Sequence, residues 1–311
     1  MSMNRRNFIG CAGAGIAAQG LPIPVAAGDA PADSIVTDAE NALIDQWQTE
    51  TDLVTPDIYA AYLSDGDTRG FSTLEKLEAA FAKVMREAKE TVVSGDKPAV
   101  WSVYNMGYVV KTREALFSID LVHRRATEFA PLLDFALITH NHADHFHRGL
   151  YAAMNGAGKT VISNFLDNYG APDWRKNGGY VRGVKEFSLK DVKIRTSLID
   201  HNDYLVDFTT AFEIKTGDFT LYHTGDSGKG TEPKLVNVWG SPDLWLFFPG
   251  CGIDPAKAAE KTEAKRIVFG HLWELAHLKG RLNAPLIRKA LSKTRAKSPT
   301  VSFALWGDRI C

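Results

Sequence analysis

His140-Asn141-His142-Ala143-Asp144-His145 places three imidazoles and one carboxylate within six residues. The stretch follows Phe135-Ala136-Leu137-Ile138-Thr139, a short apolar run that reads as a buried strand. Metal ligands at a strand end stand on a stiff support, which a catalytic metal site needs. His140 and His142 are two residues apart and can project to one side in extended geometry. Asp144 and His145 come after the turn and can face a second ion. The plainer reading is a polar, His-rich surface loop, which rarely carries this arrangement.

Three further ligand candidates lie downstream. His201 ends Leu198-Ile199-Asp200-His201, after the alternating segment that begins at Val192. Asp226 lies just past Phe219-Thr220-Leu221-Tyr222-His223, in a Gly-rich turn. His271 closes Arg266-Ile267-Val268-Phe269-Gly270. Each position ends an expected strand.

HxHxDH followed by a His, an Asp and a His, each at a strand end, resembles the metallo-β-lactamase fold superfamily. The likeness covers roughly residues 96–311, and all seven positions are filled. It implies an α/β (α+β) fold, a four-layer αβ/βα sandwich, here with an N-terminal helical lead-in. It also implies a dinuclear site: His140, His142 and His201 on one metal, Asp144, His145 and His271 on the other, and Asp226 between them. Imidazole and carboxylate suit Zn, with Mn or Fe accepted. In such a site two metals activate a water toward an electrophilic carbon or phosphorus. Asp144 would also accept a proton from that water.

The ligand set narrows the resemblance. The zinc β-lactamases proper mostly lack an Asp at the bridging position, many having Cys there. Asp226 therefore points to phosphodiesterases, lactonases and thioesterases. A flavodiiron protein would carry Glu in place of His142. The expectation is a hydrolase for a small ester, lactone or phosphodiester. Two other classes stay open: a mono-iron oxidoreductase of the sulfur dioxygenase kind, and a non-catalytic binding module on the same fold. Beta-lactam hydrolysis is the weaker remaining option.

Asn4-Arg5-Arg6-Asn7-Phe8-Ile9-Gly10 resembles a twin-arginine export motif. An Ala- and Gly-rich segment without charge runs on to Asp29, and Val25-Ala26-Ala27 suits cleavage. An ordinary secretory signal is the alternative. A membrane anchor is disfavoured, because Gly20, Pro22 and Pro24 break the run. The expected organisation is a signal over 1–27, a leader and helical segment over 28–95, and the metal-binding domain over 96–311. The expected location is a bacterial periplasm or the cell exterior.

The net charge of −1 offers no basic excess for nucleic acid. The expected partner is a small-molecule substrate, with no stable membrane insertion; the oligomeric state is left open. Cys251 and Cys311 are expected as unpaired thiols, though export permits a disulfide.

Several other residues enter the reading. Ser72-Thr73-Leu74-Glu75 predicts a capping box opening a helix whose face is Leu74, Leu77, Phe81, Val84, Met85 and Ala88. Residues 36–64 are polar and helical in part. Asp120 is a candidate for orienting a ligand His. His277 is a candidate proton donor to the leaving group, against the plainer reading of a surface His. His147 is expected exposed on the helix after the motif, and His223 packed or hydrogen-bonded at its strand end. Lys229 reads as a solvated loop residue. Tyr104, Asn105, Tyr108, Trp174 and Trp273 are candidate pocket walls, with core packing as the default.

Overall fold

Thr37 opens the first helix among the described residues by a reciprocal cap. Its hydroxyl accepts from the Glu40 amide at 3.2 Å, and the Glu40 carboxylate accepts from the Thr37 amide at 3.0 Å. The computed structural model describes residues 36–64, 66, 69–165, 183–277 and 282–311. The export motif, the leader, Trp174 and most of the segment after Phe165 lie outside them.

Helix α1 spans Asp38–Asp52, α2 Pro56–Leu63 and α3 Ser72–Glu90. The capping box expected at Ser72 does not form. Phe71 is the N-cap without a side-chain cap, and Ser72 is already helical. Its hydroxyl turns instead to Glu50 at 3.4 Å. The predicted apolar face of α3 holds: Leu74, Leu77, Phe81, Val84 and Ala88 are buried and Met85 is packed against them.

From Ala99 the apolar periodicity shortens and strands begin. Strands β1 (Ala99–Ser102), β2 (Tyr108–Lys111), β3 (Leu116–Ile119), β4 (Phe135–Leu137) and β5 (Thr160–Ile162) pair in that order. The first two pairings are antiparallel and the last two parallel. The second sheet contains β6 (Lys185–Leu189), β7 (Val192–Ile199), β8 (Thr209–Thr216), β9 (Phe219–His223), β10 (Leu244–Phe247), β11 (Ile267–Phe269) and β12 (Val301–Phe303). Its order is β12-β11-β10-β9-β8-β7-β6, parallel from β9 to β12 and antiparallel from β6 to β9.

Strand β6, Lys185-Glu186-Phe187-Ser188-Leu189, is not expected from its sequence. Among the described residues it pairs with β7 alone, its Phe187 and Leu189 rest only partly buried on the core, and charge on an edge discourages pairing with other chains. The sequence pattern predicts helices near 145–155, 255–263 and 284–293, and α4 (Arg148–Gly156), α5 (Pro255–Thr262) and α6 (Ala284–Arg295) lie close to them. A 3-10 turn at Ala126–Phe129 stands where a helix near 124–131 was expected.

One apolar core joins both sheets and the helices, including Trp47 of α1, Tyr62 of α2 and Phe81 of α3. The sheets also meet through polar contacts: His223 Nε2 donates to the Met106 carbonyl at 3.0 Å, and the Thr210 amide to that of Thr139 at 2.8 Å. The carboxyl ends of strands β3, β4, β7, β9, β10 and β11 lead within a few residues to Asp120, the His140–His145 motif, His201, Asp226, Cys251 and His271. Carboxyl ends of strands are the usual binding edge of α/β sheets.

Candidate metal centre

After β4 the chain turns tightly, with the amides of His145 and Phe146 both donating to the His142 carbonyl at 3.0 and 2.9 Å. The turn separates His140 and His142 from Asp144 and His145. His140 Nε2 and His142 Nδ1 are 3.1 Å apart. With His201 they form one set whose ligand atoms lie within 4.8 Å of one another. Asp144, His145 and His271 form a second such set.

Asp226 faces both sets. Its Oδ2 lies 3.4 Å from His201 Nε2. Its Oδ1 lies 3.1 Å from His145 Nε2 and 3.7 Å from His271 Nε2. All seven candidates therefore converge.

Some of these atoms meet directly, as His271 Nε2 does Asp144 Oδ2 at 2.9 Å, and others are left without a partner. His145 Nε2, His201 Nε2, Asp144 Oδ1 and Asp226 Oδ1 are buried and make no hydrogen bond. A buried polar atom left unpaired costs about 1–3 kcal/mol. Such atoms, His201 in one set, Asp144 and His145 in the other and Asp226 facing both, fit divalent cations, which take lone pairs from nitrogen and oxygen alike.

The outer partners set the tautomers. Asp120 is fully buried and accepts from His145 Nδ1 at 2.8 Å, so in the neutral ring Nε2 is the lone-pair atom that faces the site. It also accepts the Thr139 hydroxyl at 2.6 Å, so that hydroxyl accepts in turn from His140 Nδ1 at 3.0 Å. One carboxylate thus orients two ligand candidates, one directly and one through Thr139. Thr139 escaped the sequence reading; its only signal is its place directly before the motif.

Two glycines permit this approach. A Cβ on Gly225, whose φ is +50°, would lie 2.8 Å from the Thr139 side chain. A Cβ on Gly228 would lie 2.1 Å from the His201 carbonyl oxygen.

Electrostatics follow burial and sign. Burial, with His145, His142 and His201 nearby, holds His140 well below the usual imidazole range. Burial alone would lower His145, but Asp226, Asp144 and Asp120 carry it well above that range. His271 rises for the same reason, through Asp226 and Asp144. Burial would raise Asp144 and Asp226; the charges of His145 and His271 outweigh it and hold both carboxyls low.

His277 lies at the rim. Its ring is exposed, with Nδ1 3.4 Å from Glu274 Oε2. A nitrogen of His277 and carboxylate oxygens of Glu274 and Asp144 fall within 4.8 Å of one another. Glu274, which the sequence reading passed over, is buried and accepts the His277 amide at 2.7 Å.

His147 is not exposed on a helix. It is the half-buried N-cap of α4 and accepts from the Leu150 amide at 2.9 Å. His223 is buried, with Nδ1 accepting from the Gly225 amide at 3.2 Å and Nε2 donating to Met106 as above, so both ring nitrogens are used. Tyr104, Tyr108 and Trp273 are fully buried core residues. Asn105 is buried too, and neither atom of its carboxamide has a hydrogen-bond partner. Lys229 is exposed, 3.8 Å from Asp203. Cys251 and Cys311 are free thiols.

No protein-family model matches the chain. It is 29% identical over 144 residues to a UPF0173 metal-dependent hydrolase of Heliobacterium modesticaldum, matching 42% of this chain and 60% of that protein. It is 31% identical over 154 residues to one of Methanosphaera stadtmanae, matching 44% and 64%. The chain thus spans less than two thirds of the length of these curated relatives. Among solved structures, a Veillonella parvula protein described as a possible metal-dependent hydrolase superposes with a TM-score of 0.53 at 13% identity, covering 69% of this chain and 98% of the other. The metallo-β-lactamase fold protein YhfI of Bacillus subtilis gives 0.50 at 15% identity, covering 68% and 98%. The chain therefore has the metallo-β-lactamase fold and is similar in sequence to metal-dependent hydrolases.

Proposed function

We propose that the chain is a metal-dependent hydrolase whose seven converging residues hold two divalent cations. The observation that carries this is the two-sided carboxylate of Asp226, one oxygen toward His201 and the other toward His145 and His271. That placement suits a ligand shared between the His140–His142–His201 set and the Asp144–His145–His271 set. The donors suit zinc, with manganese or iron accepted. Two such ions would supply Lewis acidity and lower the pKa of a bound water toward neutrality.

The chain's own groups position and protonate. Asp120 and Thr139 hold two imidazoles in the required tautomer. Asp144 has two oxygens in reach, Oδ2 beside His271 Nε2 at 2.9 Å and Oδ1 without a hydrogen bond, so one would hold an ion while the other accepts a proton. His277, exposed at the rim beside Glu274, is placed to give a proton to a leaving group. Phe208 walls the site, its ring 5.3–5.9 Å from those of His140, His142 and His201. The substrate in this reading is a small ester, lactone or phosphodiester.

Export belongs to the same proposal, on the strength of Arg5-Arg6 and the small-residue stretch ending at Ala27. Among the described residues no helix is long and apolar enough to cross a membrane.

The test is elemental analysis of protein purified from its native compartment, followed by a screen of esters, lactones and phosphodiesters. About two zinc or manganese ions per chain, with turnover in the screen, is the expected result. One iron per chain would shift the reading to an oxidoreductase. A chain that takes up no metal on titration would overturn it.

A further inference from the structure

Cys251 follows β10 as His201 follows β7, Asp226 follows β9 and His271 follows β11. It belongs to neither set of three. Its thiol nevertheless points inward and donates to Asp226 Oδ2 at 3.6 Å. Cys251 Sγ, a ring nitrogen of His201 and a carboxylate oxygen of Asp226 all lie within 4.8 Å of one another.

The thiol does not stand alone there. Asp226 is only 5% exposed, and the Oδ2 that the thiol meets also lies 3.4 Å from His201 Nε2. That nitrogen is buried and makes no hydrogen bond. The loop is held in place as well: Gly228, two residues past Asp226, makes an antiparallel bridge with Gly252. The sulfur is thereby tied to the turn that carries the carboxylate.

We propose that Cys251 is an eighth metal-binding residue, its sulfur coordinating the ion beside His201 and Asp226. This rests on the dinuclear reading above. Coordination breaks the S–H bond, releases the proton to solvent and forms a metal–sulfur bond from the freed electron pair, with no change of oxidation state. Sulfur is a soft donor, so this side of the centre favours thiophilic cations over manganese or magnesium. The opposite set, with Asp144, His145 and His271, offers only nitrogen and oxygen.

Cobalt(II) titrated into the full-length chain separates the outcomes. Its visible ligand-field bands report occupancy by any of the donors, and a near-ultraviolet thiolate-to-cobalt charge-transfer band reports sulfur. The wild-type chain is expected to show both. Cys251→Ser, nearly isosteric, is expected to lose the charge-transfer band and keep the visible bands. Cys11→Ser and Cys311→Ser are expected to keep both. Visible bands without a charge-transfer band in the wild type would overturn the role of Cys251 while leaving the dinuclear centre standing, and so would a charge-transfer band that survives Cys251→Ser. Failure to bind cobalt at all would remove the dinuclear reading and this inference with it.

Discussion

Asp120 is outside the ligand motif, yet two of the imidazoles depend on it. It has a φ of +45°, a left-handed conformation that Asp and Asn tolerate better than most residues. Asp120→Asn therefore keeps the backbone and removes the charge. It also weakens the acceptor that fixes His145 Nδ1 and Thr139. Loss of such an orienting partner costs about 10- to 100-fold in metal affinity. A competition titration against a chelator checks this, and an unchanged affinity would deny Asp120 its orienting part. At this scale the sequence was highly readable. His140, His142, Asp144, His145, His201, Asp226 and His271 are marked by residue type and strand ends, both of which are local. Thr139 was not, because a hydroxyl closing an apolar run has no signature until the fold brings Asp120 to it. Nor was Cys251, whose approach to Asp226 depends on a bridge between two distant glycines.

Helices α2 and α3 enclose a second histidine with a different task. His123 is buried, its ring stacked on Phe81 of α3 at 4.1 Å. Its Nδ1 accepts from the Arg125 amide at 3.1 Å, so Nε2 donates to the Tyr62 hydroxyl of α2 at 2.7 Å, and that hydroxyl donates to Glu78 at 2.9 Å. Burial, with Arg125 and Arg124 beside it, outweighs Glu78 and lowers the imidazole from 6.5 to about 4. The unfolded chain takes up this proton near 6.5 and the folded chain refuses it until about 4. Stability from this group is therefore complete above the upper value and lost as pH falls toward the lower one. The slope is about 1.4 kcal/mol per pH unit. Denaturant unfolding at a series of pH values should show this acid limb, and His123→Gln should flatten it. An equally steep limb in the variant would place its origin elsewhere. Helix α3 was legible because five buried positions recur at helical spacing. Helix α1 was only half legible, because its polar surface hides a single buried stripe of Ile44, Trp47 and Thr51. The capping box that Ser72 and Glu75 suggest is found instead at Thr37, since Ser-x-x-Glu is short enough to occur inside a helix as well as before one.

At the scale of the molecule, residues remote in sequence fix the far side of the centre. Arg295 of α6 pairs with Glu40 of α1 at 2.6 and 2.9 Å, and Arg288 bonds Asn41 at 2.6 Å. Trp47 of α1 then packs on Trp273, two residues past His271, with ring centroids 5.2 Å apart. His271 and Trp273 both have positive φ, +57° and +60°, which costs about 1–3 kcal/mol each unless the surroundings enforce it. A cation bound by His271 shares in that enforcement. Ligand binding to the folded state alone adds about 2.7 kcal/mol at a hundredfold excess over Kd. Chelation should then lower the thermal midpoint by about 5–10 °C. Scanning calorimetry with and without chelator checks it, and superimposable curves would mean that metal and fold are uncoupled. None of this long-range bracing was legible in advance, because each contact joins segments more than 200 residues apart.

The same contact has an optical consequence. Trp47 also meets Trp306 edge-on at 5.0 Å, so three of the seven indoles form one touching group beginning two residues from a candidate ligand. Excitation energy absorbed by any of the three passes among them and is emitted from a place that senses the His271 backbone. The chain thus carries its own fluorophore for the arrival of an ion, with no label attached.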